Sequence, residues 1–182
     1  MPPTLLLIDI QNDYFDGGAM PLVNSQQALS QAHQLLTHWR QHKRPVVHLQ
    51  HLATRPGATF FRPGTPGADI HPTLQPEPGE TVFQKNFPNG FRQTPLLEHL
   101  RVLGTESLVI AGMMTHLCVD TTTRAAADLG FACTLVHDAC ATRDLRFEGV
   151  DVPAQQVQAA YMAALGPSFA QVVATQSLLS AG

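Results

Sequence analysis

Residues 107–130 read S-L-V-I-A-G-M-M-T-H-L-C-V-D-T-T-T-R-A-A-A-D-L-G, and the order of residue types within them decides the fold. Ser107 to Ala111 is a short apolar run with β-branched Val109 and Ile110, the pattern of a strand buried on both faces of a parallel sheet. Gly112 is expected to end it. Thr115 stands where it can cap a helix with small or apolar positions at Leu117, Thr121, Thr122, Ala125, Ala126 and Leu129, and Gly130 as the stop. Open α/β sheets carry their chemistry at the carboxyl ends of such strands. Cys118 falls in the first turn of the helix, where unpaired N–H groups and the positive end of the helix dipole favour a thiolate. Two readings of Cys118 stand side by side: a nucleophile, or a small hydrophobe of the core, as free cysteine commonly is.

The same strand-and-helix alternation extends in both directions. Thr4 to Asp9 is a first strand with Asp9 at its carboxyl end. Asn24 or Ser25 can cap a helix with Ala28, Ala32, Leu35, Leu36 and Trp39 on one stripe, and Pro45 opens a second strand over Val46 to Gln50. Thr81 to Gln84 is a third strand, and Thr94 caps a helix through Leu103. Ala132 to Val136 is the fifth strand, Pro153 starts the last helix, and Phe169 to Val173 is the sixth strand. The expected fold is a three-layer α/β/α arrangement, a six-stranded, mostly parallel, Rossmann-like sheet in a single domain over residues 1–182, with right-handed crossovers. The segment from Thr54 to Glu80 breaks the rhythm. It is dense in Pro and Gly, and its Phe60 and Phe61 suggest a lid over a pocket or a contact with a second subunit, against the plainer reading of a passive surface loop.

Composition narrows the function. The chain has 182 residues, 44% hydrophobic and 14% charged, with a net charge of -3, so no basic stripe invites nucleic acid. No apolar run approaches the roughly 20 residues of a membrane span, and the N-terminus lacks the basic start and small-residue cleavage site of a secretory leader. Three cysteines, Cys118, Cys133 and Cys140, do not build a disulfide framework, and a cytoplasmic setting is expected. No G-x-G-x-x-G or P-loop follows any strand, so no nucleotide cofactor is expected. A chain with nine arginines has only two lysines, Lys43 and Lys85. Lys85 stands at a strand end, where a compact ammonium can approach a reacting thiol; a solvated surface lysine is the alternative.

Asp9, Lys85 and Cys118 thus fall at or just beyond the carboxyl ends of strands one, three and four, which share one rim of such a sheet. A carboxylate to take the thiol proton, an ammonium to stabilise the thiolate and helix-start N–H groups to receive an oxyanion make a workable hydrolytic set.

At this point the chain resembles the isochorismatase-like cysteine hydrolases, the superfamily that includes nicotinamidase and N-carbamoylsarcosine amidohydrolase. The resemblance is carried by L-L-L-I-D-I-Q-N-D-Y, V-F-Q-K-N-F-P-N-G-F and L-V-I-A-G-M-M-T-H-L-C-V-D-T-T-T-R-A-A-A-D-L-G-F, and the text looks closest to bacterial cysteine hydrolases of unassigned substrate. It implies Asp9 as general base, Lys85 as its charged partner and Cys118 as nucleophile. It also implies a cis peptide between Met113 and Met114, which aims the Met114 N–H, with that of Cys118, at the oxyanion. Homo-oligomers are common in this family. The chain departs from the nicotinamidases after strand two, where H-L-Q-H-L-A lacks their Asp-x-His metal pair. His48 and His51 would point to opposite faces of an extended strand, so no metal is expected. The retained cysteine sets it apart from true isochorismatases and favours acyl transfer to sulfur.

Phe15, Phe60, Phe91 and His116 are candidate pocket walls, each with an ordinary core or surface role as the alternative. Cys133 and Cys140 read as packing residues, and Asn12 and Asp13 as holding the first loop. The expected activity is a metal-independent hydrolysis of a C–N bond in a small molecule. The alternative is a non-catalytic member of the fold that binds a small molecule or a partner.

Overall fold

The computed structural model describes residues 2–180. Strand β1 (Thr4–Ile8) is apolar and buried along its whole length because alternate residues serve two cores. Leu5 and Leu7 face helix α1 (Ser25–Gln41) through Leu35, Leu36 and Trp39. Leu6 and Ile8 face the other layer, built from α2 (Leu96–Val102), α3 (Asp120–Asp128) and α4 (Ala154–Leu165) through Leu96, Leu100, Ala126 and Leu165. Period-two alternation between two apolar layers is why the strand reads as a continuous hydrophobic run.

The remaining sheet strands are β2 (Val46–His51), β3 (Thr81–Lys85), β4 (Ser107–Met113), β5 (Ala132–Ala141) and β8 (Gln171–Val173). A short hairpin of β6 (Leu145–Phe147) and β7 (Val150–Val152) lies outside the sheet, and helix α5 (Thr175–Ser180) follows β8. The sheet runs β3-β2-β1-β4-β5-β8 with every pairing parallel. The chain winds from β1 outward to β3, then returns to the opposite side of β1 as β4. The switch in direction therefore lies between β1 and β4, where α/β sheets open a crevice at the carboxyl ends.

Local details differ from the sequence reading. Gly112 does not end β4, which continues through Met113. Its φ is +143°, and a Cβ there would meet the Ile8 carbonyl oxygen at 2.1 Å, so glycine is required by the approach of β4 to β1. The Met113–Met114 peptide is cis. Thr115 does not cap the following helix. Its hydroxyl donates instead toward the Ala141 carbonyl and Gln158 Oε1, at 3.2 and 2.6 Å, and the first turn, Thr115–Val119, is π-helical before α3 begins. β5 runs five residues beyond Val136, past an irregularity in its pairing with β4. The β6–β7 hairpin and α5 had no counterpart in the sequence reading.

The long segment after β2 folds back onto its own chain. Gln11 donates to the carbonyls of His51 and Ala68 and accepts from the His51 N–H. Asn12 donates to the Pro66 carbonyl, and Asp13 accepts from the Phe61 N–H at 2.6 Å and from the Ala19 N–H at 3.1 Å. Asn12 and Asp13 therefore pin the long loop as well as the first one. Phe61 is fully buried against Tyr14, with ring centroids 4.5 Å apart. Farther along, Arg40 and His48 clasp Glu80.

Candidate active site

Four strand ends converge at the switch. Asp9, directly after β1, has φ +51°, a left-handed conformation that Asp tolerates better than most residues. Its N–H is held by the Leu49 carbonyl at 3.0 Å, and its side chain is fully buried. Lys85, the last residue of β3, is 1% exposed and brings Nζ to 2.6 Å from Asp9 Oδ2. The same ammonium lies 3.1 Å from His51 Nδ1 and 3.1 Å from the Phe87 carbonyl. Cys118 follows β4 in the π-helical turn and is buried, and its Sγ lies within 4.8 Å of ligand atoms of both Asp9 and His51.

The electrostatics follow from burying these charges together. Burial works against the Lys85 ammonium, but the negative charges of Asp9 and Cys118 outweigh it and hold its pKa above the usual lysine value. Neither carboxylate oxygen of Asp9 accepts a well-directed hydrogen bond among the described residues. That leaves lone pairs free to receive a proton. Burial, joined by the charge of Asp9, pushes the Cys118 thiol well up, while Lys85 pulls it down. Burial thus works against the helix-start thiolate of the sequence reading, while Lys85 works for it and Asp9 stands beside the thiol as a proton acceptor.

A cavity of about 740 Å³ opens over Cys118. Tyr14, His51, Phe60, Phe87, Met114 and Leu117 are among its walls, and the stretch from Ala53 to Phe60 forms one side. Part of the Pro/Gly-rich loop is therefore cavity wall. Of the four candidate wall residues, Phe60 stands there. Phe15 does not: its ring packs on His71 at 4.4 Å in the core. Phe91 stacks on Phe131 at 6.2 Å in the opposite layer. His116 turns to Thr142 Oγ1 at 2.6 Å and toward Tyr161, while its neighbour Leu117, 38% exposed, faces the cavity. Side chains two apart on the helical turn after Met114 point in different directions, so closeness to Cys118 in sequence does not bring His116 to the cavity.

His51 was missed as a site residue. The sequence reading had it diverge from His48, and the two do part. His48 bonds Glu80 at 2.9 Å, but His51, at the end of β2, turns to Lys85. Its position at a strand end was the available signal. Asp9, His51 and Cys118 could in principle share a cation. The Lys85 ammonium already bonds two of the three, Asp9 and the His51 lone pair, and a buried positive charge beside them repels a second. The arrangement does not fit a metal site. No helix among the described residues is long and apolar enough to cross a membrane.

The chain is similar to known proteins over nearly its whole length. A family model described as the isochorismatase domain matches residues 3–177. The chain is 45% identical to the uncharacterized isochorismatase family protein YddQ of Bacillus subtilis, over 98% of this chain and 99% of that one. A crystal structure of a "putative isochorismatase hydrolase" from Oleispira antarctica superposes with a TM-score of 0.94 at 48% identity, covering 98% of this chain and 96% of that one. The nicotinamidase of Escherichia coli is 27% identical over 89% of this chain and 91% of its own length.

Proposed function

The chain belongs to the isochorismatase family, and on that premise we propose that it is a metal-independent cysteine hydrolase of a C–N bond in a small amide-like molecule. The observation that carries this reading is the buried Asp9–Lys85 pair, 2.6 Å apart, set against the Cys118 thiol at the floor of a cavity. Similarity to a nicotinamidase supports an amide as the bond attacked.

Asp9 takes the thiol proton as Cys118 Sγ bonds to the carbonyl carbon, and Lys85 keeps the carboxylate in place and offsets the charge on sulfur. The N–H groups of Met114 and Cys118 receive the oxyanion, a role in which one donor contributes about 10²–10³ in rate. The intermediate collapses with cleavage of the C–N bond, and the amine leaves with the proton from Asp9. Water then attacks the thioester carbon, giving one proton to Asp9. The acid departs, and the thiol recovers that proton. A cytoplasmic setting accompanies this reading, supported by three free cysteines. Assembly from identical subunits does too, supported by the exposed Phe147 and Val150 on the β6–β7 hairpin.

The test is ammonia release from a panel of small amides, ureas and carbamoyl compounds, with the Cys118 thioester sought by intact-protein mass. Turnover in the native protein that disappears in Cys118→Ala is expected. Turnover at the native rate in Cys118→Ala refutes the nucleophile, and a native protein inert to the whole panel and to iodoacetamide favours a binding protein.

A further inference from the structure

The turn that carries Cys118 opens on the cavity from one side and is braced from the other. Thr115, its first residue, is fully buried. The Thr115 hydroxyl lies 2.6 Å from Gln158 Oε1, on α4, and 3.2 Å from the Ala141 carbonyl, at the end of β5. The far end of the Gln158 amide fixes the sense of this contact. Its Nε2 donates to the His137 carbonyl at 2.9 Å, which only the NH₂ can do, so Oε1 faces Thr115 and the Thr115 hydroxyl is the donor. One side chain thus ties the start of the turn to β5 by way of α4. The next residue, His116, is held independently, with Nδ1 2.6 Å from Thr142 Oγ1.

This bracing fixes backbone. Met113, before Met114, is held in the sheet opposite Ala141. Thr115, after it, is held by Gln158. The Met114 carbonyl accepts from the N–H groups of Leu117 and Val119 at 3.1 and 3.2 Å, so the place of Met114 and the course of the turn through Cys118 are set together. The two N–H groups assigned to the oxyanion belong to these two residues. A displacement of about 1 Å at a reacting centre can cost about 10²-fold in rate, so their placement matters as much as their presence. Gln158 is not a wall of the cavity over Cys118. It borders a separate cavity of about 690 Å³ with α1 and β5, and any effect it has on the reaction passes through Thr115.

We infer that Gln158 is a positioning residue: through Thr115 it holds the Met114 and Cys118 N–H groups where the oxyanion forms. The inference rests on the cysteine chemistry proposed above. Two reagents separate the oxyanion from the thiol. With p-nitrophenyl acetate, Cys118 Sγ bonds to the carbonyl carbon, the carbonyl oxygen passes through an oxyanion, and p-nitrophenolate leaves an acetyl thioester behind. With iodoacetamide, Sγ displaces iodide from a saturated carbon and no oxyanion forms. The charges that act on the thiol are those of Asp9 and Lys85, and a change at Gln158 removes neither. In Gln158→Leu the acylation rate, with Cys118→Ala as blank, should fall at least about tenfold while the alkylation rate stays within about twofold of native. The variant should fold, because the Thr115 hydroxyl keeps the Ala141 carbonyl and His137 borders the second cavity, where water can replace the amide. Thr115→Val should reproduce the selective loss, Thr115→Ser should restore most of the native rate, and Thr115→Val/Gln158→Leu should be little worse than either alone. Acylation and alkylation lost in equal measure would mark a merely structural role, and acylation unchanged would mark none. Either result overturns the inference and leaves the hydrolase reading standing. A native Cys118 that the ester does not acylate overturns both.

Discussion

Replacing Lys85 with Met removes the cation that pairs with Asp9 in a fully enclosed space. The methionine fills most of the lysine stem's volume, so the change is chiefly one of charge. It strands the Asp9 carboxylate, which has no well-directed donor to fall back on, and frees the Phe87 carbonyl and His51 Nδ1 from their shared donor. Breaking a buried pair by deleting one partner costs about 3–5 kcal/mol. In a chain of this length each kcal/mol lowers the melting temperature by about 2–4 °C, so a fall of roughly 6–20 °C is expected. The second consequence is on sulfur. Lys85 is the group that pulls the thiol pKa down against burial and Asp9. Its loss drives the thiol higher still, and since one pK unit is tenfold in thiolate, iodoacetamide should react at least about tenfold more slowly at pH 8. Urea unfolding and alkylation rate against pH measure the two effects separately. The double variant Asp9→Asn/Lys85→Met, which buries no lone charge, should recover much of the lost stability. A Lys85→Met protein within about 0.5 kcal/mol of native stability, a spread typical of harmless surface changes, would refute the energetic argument. An unshifted alkylation profile would remove Lys85 from the chemistry.

Other outcomes follow from the same geometry. Gly112→Ala places a Cβ 2.1 Å from the Ile8 carbonyl in the centre of the sheet, and a loss of more than about 3 kcal/mol is expected by urea titration; a mild effect would mean that β1 and β4 can separate there. Glu80 is pushed upward by burial, but Arg40, the Glu77 N–H and His48 outweigh this and lower its pKa to about 2. A depressed carboxyl stabilises the fold above its unfolded pKa, near 4.3, and that contribution is lost as pH falls toward 2. The melting temperature should therefore drop less steeply between pH 5 and pH 2 in Glu80→Gln than in the native protein, and parallel curves would contradict the ion cluster. Dialysis against EDTA should leave turnover of an identified substrate unchanged, because the Lys85 ammonium already bonds Asp9 and His51; loss of activity with rescue by zinc or iron would overturn this.

The sequence alone determined the alternation of strands and helices, the six-stranded sheet and the strand ends bearing Asp9, Lys85 and Cys118. These are legible because they are local. A strand buried between two layers must be apolar at every position, as Leu5 to Ile8 are, and a helix beneath it must repeat its apolar residues every three or four, as Ala28 to Trp39 do. What the tertiary structure decided is which neighbours meet. His51 joins Lys85 because β2 and β3 pair in parallel register, His51 against Lys85, a fact of strand pairing that neither segment contains. Phe15, Phe91 and His116 turn away from the cavity because better partners, His71, Phe131 and Thr142, arrive from distant parts of the chain. Thr115 abandons a cap for Gln158, 43 residues later. The surroundings of the Cys118 thiol belong to the same class: a helix start favours the thiolate from within the segment, but the burial that works against it is imposed by the whole fold.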